Sequence, residues 1–178
     1  MLMDLPDDSV RSVADMAEWV AARIDAPAVL VGHSFGAKVA MAVAALHPEK
    51  VGGIVVIAGS NRGRPLFRAL RPAIKLAKRL GIQSTRFQSA DYRDSSPIMK
   101  QVMQNTLDFD IVPMARRIKC PAVFIYGEND TVTKAKLGRK LSACVPGARF
   151  YRLSGFNHNT IITAGALQVS AIIKKELF

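Results

Sequence analysis

Short apolar runs alternate with segments of helical periodicity along this chain of 178 residues. Four runs have the length of short strands, and the uniform hydrophobicity of the first two predicts burial on both faces: Ala28–Val31, Val51–Ala58, Pro121–Tyr126 and Ala148–Leu153. Apolar or small residues at helical spacing predict helices over Val10–Ile24, with Ser9 as its N-cap, Ala37–Leu46, Thr133–Ala143 and Ile161–Leu177. This order predicts the α/β class, with a parallel sheet of about four strands and helices on both faces.

The alternation breaks between residues 61 and 114. This segment is basic and contains several prolines, and its helical stretch Leu66–Leu80 has Arg and Lys between the apolar positions and is interrupted by Pro72. We therefore predict a core formed by residues 1–60 and 115–178, with residues 61–114 as a helical insertion. Parallel sheets bind ligands beyond the carboxyl ends of their strands, so we expect the chemistry in the loops that follow the strands.

The composition excludes several classes of protein. With 49% hydrophobic and 22% charged residues, the chain is typical of a globular protein and not of a disordered one. Its longest apolar run is far shorter than the roughly 20 residues that a membrane span needs. Two cysteines and three histidines leave little material for a disulfide framework or a metal centre, so we expect no metal and no cofactor. The N-terminal residues lack the basic and apolar regions of a secretory signal, which predicts a cytoplasmic protein.

The formal net charge of +11 is concentrated in the middle of the chain. Residues 61–119 hold 13 basic and 4 acidic side chains, whereas residues 1–60 are acidic on balance. Nucleic-acid binding is not expected, because helix-turn-helix, zinc-finger and RNP patterns are missing and only 7% of the residues are aromatic. We interpret the basic segment as a solvated face, and a weak contact of this segment with an anionic surface is the alternative.

A G-x-S-x-G pattern, from Gly32 to Gly36, joins the first predicted strand to the following helix. This pattern is typical of a nucleophile elbow, a sharp turn that lifts the hydroxyl of Ser34 clear of the sheet. We expect both glycines to let the strand and the helix approach without a Cβ clash. The turn also directs the N–H of Phe35, at the helix N-terminus, towards the oxygen on which negative charge develops during acyl transfer.

A serine nucleophile needs a base, and the chain offers three histidines. His33 is adjacent to Ser34 and is expected to point away from it across the elbow. His47 lies at the far end of the helix that follows the elbow. His158 lies in a polar loop just after the fourth strand, at the sheet edge where the elbow opens, so we predict that His158 is the general base and then the general acid.

The base in turn needs a carboxylate that orients it. Asp130 lies just past the third strand, between Ser34 and His158 in the sequence. Its neighbour Glu128 is two residues nearer the strand and is expected to face solvent or to cap the turn. We therefore predict that Asp130 orients His158, which gives the chain order Ser, Asp, His.

Three segments together resemble the α/β-hydrolase superfamily: residues 31–36, 127–130 and 155–158. The resemblance implies a serine-dependent hydrolase with Ser34, Asp130 and His158 as its catalytic triad. It also implies that residues 61–114 are the cap domain commonly inserted after the sixth strand of the family, where it covers the acyl or leaving-group pocket.

The chain departs from this family before the elbow. Members normally carry four further strands there, whereas this chain has about 27 residues, enough for one helix. The loop that usually donates a second oxyanion N–H has no counterpart, and Phe35 is the one donor that the sequence identifies. The elbow strand would also become an exposed apolar edge, which favours self-association or pairing with a second chain. A truncated reading frame, which we favour, a fragment completed by another polypeptide and an inactive copy are the three hypotheses.

From the sequence we predict a partial α/β-hydrolase fold that hydrolyses an ester or related acyl bond of a small molecule. Ser34 would form an acyl-enzyme, with Asp130, His158 and the Phe35 N–H in the roles given above. The alternative is a non-catalytic protein of the same fold that binds a ligand or partner, or an inactive fragment.

Overall fold

Four parallel strands form a sheet in the order β1-β2-β3-β4. The computed structural model describes residues 12–60 and 109–178. The strands are β1 (Ala28–His33), β2 (Val51–Ile57), β3 (Ala122–Gly127) and β4 (Arg149–Leu153). The helices are α1 (Val13–Ala21), α2 (Phe35–Leu46), α3 (Val112–Ala115), α4 (Ala135–Ser142) and α5 (Ala166–Leu177), with a 3₁₀ turn at Pro48–Lys50. The predicted parallel four-stranded sheet is confirmed.

The core lies on both faces of this sheet. Alternate residues of the two central strands enter different clusters, since Ile54 and Phe124 pack with α1, α2 and α4, whereas Val55 and Val123 pack with α5. All four side chains are at most 1% exposed. Burial on both faces explains why these strands read as continuous apolar runs and not as alternating ones.

Strand β1 is less buried than its apolar run predicts. Its residues are mostly half-buried, and the side chain of Val31 is 55% exposed. Within residues 12–60 and 109–178, β1 pairs with β2 alone, so its outer edge carries no described partner. The exposed edge predicted from the sequence is therefore present in this part of the chain, and its use for association stays a prediction.

Two helices begin later than their periodicity predicts. Helix α4 begins at Ala135 and not at Thr133, because Thr133 is buried in a turn beside Asp130. Helix α5 begins at Ala166 and not at Ile161, because residues 158–165 form a series of turns. In both places the residues that periodicity assigned to a helix belong instead to a loop at the carboxyl edge of the sheet.

The beginning of the chain shows a smaller difference. Helix α1 is capped by Ser12, whose hydroxyl accepts a hydrogen bond from the N–H of Asp15 at 3.1 Å. The predicted cap Ser9 lies outside the described residues, as does most of the predicted insertion 61–114. Residues 109–111 lead into α3, which packs against α2, and the side chains of Ile111 and Ala115 are buried in the core there. The division into core and cap stays a prediction, and none of the described helices has the length and hydrophobicity to cross a membrane.

Candidate active site

Ser34 occupies a strained turn between β1 and α2. Its backbone angles are φ 53° and ψ −111°, in a region that residues with a Cβ rarely adopt. The Ser34 N–H donates to the carbonyl of Ile57 at 2.9 Å, so the carboxyl end of β2 helps to hold this conformation. Phe35 is the first residue of α2, where an N–H has no acceptor within its own helix.

Of the two elbow glycines, only Gly32 is required for the close approach of strand β1 to helix α2. A Cβ on Gly32 would lie 2.4 Å from the carbonyl oxygen of Gly36, a backbone atom that cannot swing aside. A Cβ on Gly36 meets nothing within 4 Å in the described part of the chain. The expectation that both glycines prevent a clash is therefore supported for Gly32 only.

We expect Gly32→Ala to lower the free energy of unfolding by about 3 kcal/mol, because strand and helix must separate to admit the methyl group. The matched variant Gly36→Ala should leave stability unchanged or raise it by up to about 1 kcal/mol, because alanine is the better helix former. Urea unfolding followed by circular dichroism measures both. Equal stability of the two variants would contradict the packing argument.

The loop after β4 brings His158 to Ser34. The imidazole Nε2 lies 3.0 Å from Ser34 Oγ, although 124 positions separate the two residues. Asn157 shapes this loop, because its side-chain oxygen accepts hydrogen bonds from the N–H groups of Asn159 and Thr160 at 3.0 and 2.9 Å. His158 is 6% exposed, so its ring is largely shielded from bulk water.

The loop after β3 brings Asp130 to the other side of the same ring. Asp130 Oδ2 lies 2.8 Å from His158 Nδ1. The other oxygen, Oδ1, accepts hydrogen bonds from the N–H groups of Val132 at 2.8 Å and Thr133 at 2.7 Å. Burial favours the neutral acid, but the hydrogen bonds from Thr133 and His158 outweigh it and hold the pKa of Asp130 below its ordinary value. Asp130 is therefore an ionised acceptor at neutral pH.

The two loops can meet because of Gly127, the last residue of β3. A Cβ on Gly127 would lie 2.3 Å from the carbonyl oxygen of Phe156, so only glycine allows this approach. The same carbonyl accepts a hydrogen bond from the Asn129 N–H at 2.9 Å, and the Glu128 N–H donates to Leu153 at 2.9 Å. These contacts tie the Asp130 loop directly to the His158 loop.

The structure thus brings Ser34, His158 and Asp130 into one chain of hydrogen bonds. Two residues that the sequence analysis did not choose as carboxylate or base have other partners. Glu128 forms an ion pair with Arg152 at 3.3 Å, and His47 lies 3.0 Å from Glu18 at the opposite end of α2. Within the described ranges, no group of His, Cys, Asp and Glu side chains has the arrangement of a metal site.

Sequence reasoning missed two members of the site. His33 was expected to point away across the elbow, yet its Nε2 lies 2.9 Å from the backbone carbonyl oxygen of His158, and the two rings are 4.9 Å apart. Thr133 was assigned to a helix, yet its hydroxyl lies between Asp130 and His158. A hydroxyl residue three positions after the predicted carboxylate was the available signal for Thr133, whereas no sequence signal indicated the contact of His33.

The profile of the Alpha/beta hydrolase family matches residues 4–156. Among curated proteins, the chain is similar to the pimeloyl-[acyl-carrier protein] methyl ester esterase of Chromobacterium violaceum, at 28% identity over 88% of this chain and 75% of the relative. The protein of the same name from Neisseria meningitidis is 26% identical over 77% of this chain and 64% of that relative.

Solved structures share the fold. A hydrolase from Pseudomonas aeruginosa PA01 superposes with a TM-score of 0.68 at 21% identity, covering 96% of this chain and 74% of that one. An esterase from Thermogutta terrifontis superposes with a TM-score of 0.65 at 16% identity, covering 99% of this chain and 76% of that one. The chain therefore spans between about two thirds and three quarters of the length of these proteins.

Proposed function

Because the chain belongs to the alpha/beta hydrolase family, we propose that it is a serine hydrolase that cleaves a carboxylic ester through an acyl-enzyme intermediate. The observation that carries this proposal is the unbroken series of contacts from Ser34 Oγ through His158 to Asp130, at 3.0 and 2.8 Å. A hydroxyl, an imidazole and a buried carboxylate in this order are the parts that nucleophilic acyl transfer needs.

In the first half of the reaction, Ser34 Oγ attacks the ester carbonyl carbon while His158 Nε2 accepts the hydroxyl proton. The resulting imidazolium is stabilised by Asp130, which accepts a hydrogen bond from Nδ1–H. The Phe35 N–H, with the dipole of α2 behind it, stabilises the tetrahedral oxyanion. His158 then returns the proton from Nε2 to the departing alkoxide, so an alcohol leaves and the acyl group stays on Ser34.

In the second half, water takes the position that the alcohol has left. His158 Nε2 accepts a proton from the water as its oxygen attacks the acyl carbon. The second tetrahedral intermediate collapses, the Ser34 oxygen regains the proton from His158, and a carboxylic acid is released. The cycle consumes one ester and one water and needs neither an oxidant nor a reductant.

The curated relatives indicate the type of ester. Both are named as esterases that act on the methyl ester of a carrier-bound acyl chain. We therefore propose that this chain hydrolyses esters of small alcohols, with methyl esters first among them. A net positive charge in residues 61–119 suits an acyl substrate that carries negative charge.

Labelling with a fluorophosphonate probe tests the proposal. We expect the full chain to be labelled at a single site, identified as Ser34 by peptide mass spectrometry. The reason is that an activated serine displaces fluoride from the probe, whereas ordinary surface serines do not. Prior treatment with excess probe should abolish hydrolysis of a short methyl ester. A chain that is folded by circular dichroism yet takes no label at Ser34 would instead support a non-catalytic binding protein of the same fold.

A further inference from the structure

A buried hydroxyl lies at the junction between the carboxylate and the imidazole. Thr133 Oγ1 is 2.7 Å from Asp130 Oδ2 and 3.2 Å from His158 Nδ1, and Oδ2 itself is 2.8 Å from Nδ1. The three atoms therefore form a closed triangle. Thr133 is 8% exposed, and the side chain of Asp130 is fully buried, so protein groups and not bulk water surround this junction.

The direction of each hydrogen bond follows from the ionised carboxylate. Asp130 Oδ2 only accepts, so Thr133 Oγ1–H donates to it and is no longer able to donate to the imidazole. His158 Nδ1 must then carry its own proton, which it donates mainly to Oδ2 and, at the longer distance, to the Thr133 oxygen. The remaining nitrogen, Nε2, is left with its lone pair towards Ser34, which is the tautomer that a general base requires.

The backbone N–H groups of this loop do not by themselves fix the carboxylate oxygen that contacts the imidazole. The N–H groups of Val132 and Thr133 hold Oδ1, the oxygen that faces away from the imidazole. Within the described residues, Asp130 Oδ2 accepts a hydrogen bond from the Thr133 hydroxyl in addition to its contact with His158. The hydroxyl thus controls the one oxygen on which the orientation of His158 depends.

We propose that Thr133 is a positioning residue that fixes Asp130 Oδ2 against His158 Nδ1 and keeps the imidazole in its Nδ1–H tautomer. The kinetic part of this inference rests on the proposed esterase function, whereas the tautomer is a property of the folded chain.

Among the described residues, the groups that contact the imidazole come from two parts of the fold. Asp130 and Thr133 lie in the loop after β3, and Ser34 and His33 lie at the elbow. His33 donates from Nε2 to the backbone carbonyl oxygen of His158, and its ring also lies 4.9 Å from the His158 ring. Among the described side chains that contact the ring, Asp130 is the one that carries a negative charge.

Three variants test the proposal. Thr133→Val replaces the hydroxyl by a methyl group of similar size, Thr133→Ser restores the hydroxyl, and Thr131→Val is a matched control at an exposed threonine of the same loop. We expect Thr133→Val to lower kcat for a short methyl ester by roughly threefold to tenfold, the range for one lost hydrogen bond. KM should stay unchanged. Thr133→Ser should restore the rate, and Thr131→Val should leave it unchanged.

Nitrogen-15 spectra of the His158 imidazole give a readout that does not depend on turnover. We expect one Nδ1–H tautomer in the wild-type chain and a mixture of tautomers in Thr133→Val, with a His158→Gln variant to assign the signals. If Thr133→Val keeps the wild-type tautomer and kcat, the positioning role is wrong while the esterase function stands. A lower rate that merely follows a loss of folded protein, with an unchanged tautomer, also overturns it. If the tautomer depends on the hydroxyl but the wild-type chain hydrolyses no ester, the proposed function fails and the positioning role stands.

Discussion

Replacing Ser34 by alanine is expected to lower kcat for ester hydrolysis by about 10⁶-fold, the magnitude found when a serine triad loses its nucleophile. The loss is this large because no acyl-enzyme can form, and His158 is then left with water in place of a hydroxyl fixed 3.0 Å from Nε2. Steady-state kinetics with a methyl ester, at enzyme concentrations high enough to measure the residual rate, give the value.

The control for this variant is Ser154→Ala, which removes the hydroxyl of an exposed serine in the turn after β4. We expect it to keep the wild-type rate. Hydrolysis by Ser34→Ala within tenfold of the wild-type rate would contradict the nucleophilic role, because oxyanion stabilisation and binding alone give a far smaller acceleration.

Ser34→Gly separates the chemistry from the fold. This variant should be as inactive as Ser34→Ala. However, glycine tolerates φ 53° without the penalty of about 1–3 kcal/mol that other residues incur. After allowance for the greater entropy of glycine in the unfolded chain, we expect Ser34→Gly to be more stable than Ser34→Ala by about 1 kcal/mol. The strained backbone of Ser34 thus destabilises the fold slightly, but it places the hydroxyl at the carboxyl edge of the sheet.

The sheet could be predicted from the sequence because its signals are local. The strands β2 and β3 are buried on both faces, and a strand buried in this way has a uniformly apolar sequence. The elbow is also local, since Gly32 and Ser34 mark a turn whose geometry allows few other residues. The partial burial of β1 could not be predicted in this way, because an apolar run does not indicate how many strands lie beside it in the sheet.

The contacts between loops are the part that the sequence could not predict. Asp130 and His158 were identified because each follows a strand of the same parallel sheet, and topology alone brings such positions to one edge. Whether His33 touches the backbone of His158 depends instead on the direction of one side chain, which periodicity does not determine. The late start of α4 has the same origin, because the bond from Thr133 to Asp130 competes with the helical hydrogen bonds that this position would otherwise make.

Asp130→Asn is expected to lower kcat by about 10⁴-fold while leaving the fold intact. The asparagine oxygen can occupy the position of Oδ1, where the N–H groups of Val132 and Thr133 donate. Its amide group then faces His158 Nδ1 and donates to it, so the imidazole proton moves to Nε2. In that tautomer Nε2 points an N–H at Ser34 and is unable to accept the hydroxyl proton. Kinetics at the pH optimum, together with circular dichroism, measure both parts of the expectation.

Glu128→Gln is the matched control, because it neutralises a carboxylate two residues away that contacts Arg152 and not the imidazole. We expect Glu128→Gln to keep kcat within about twofold of wild type, since exposed ion pairs contribute little. Equal losses in the two variants would show that negative charge in this loop acts through its general field and not through the contact with Nδ1. A folded Asp130→Asn variant with the wild-type rate would contradict the role of the buried carboxylate in orienting His158.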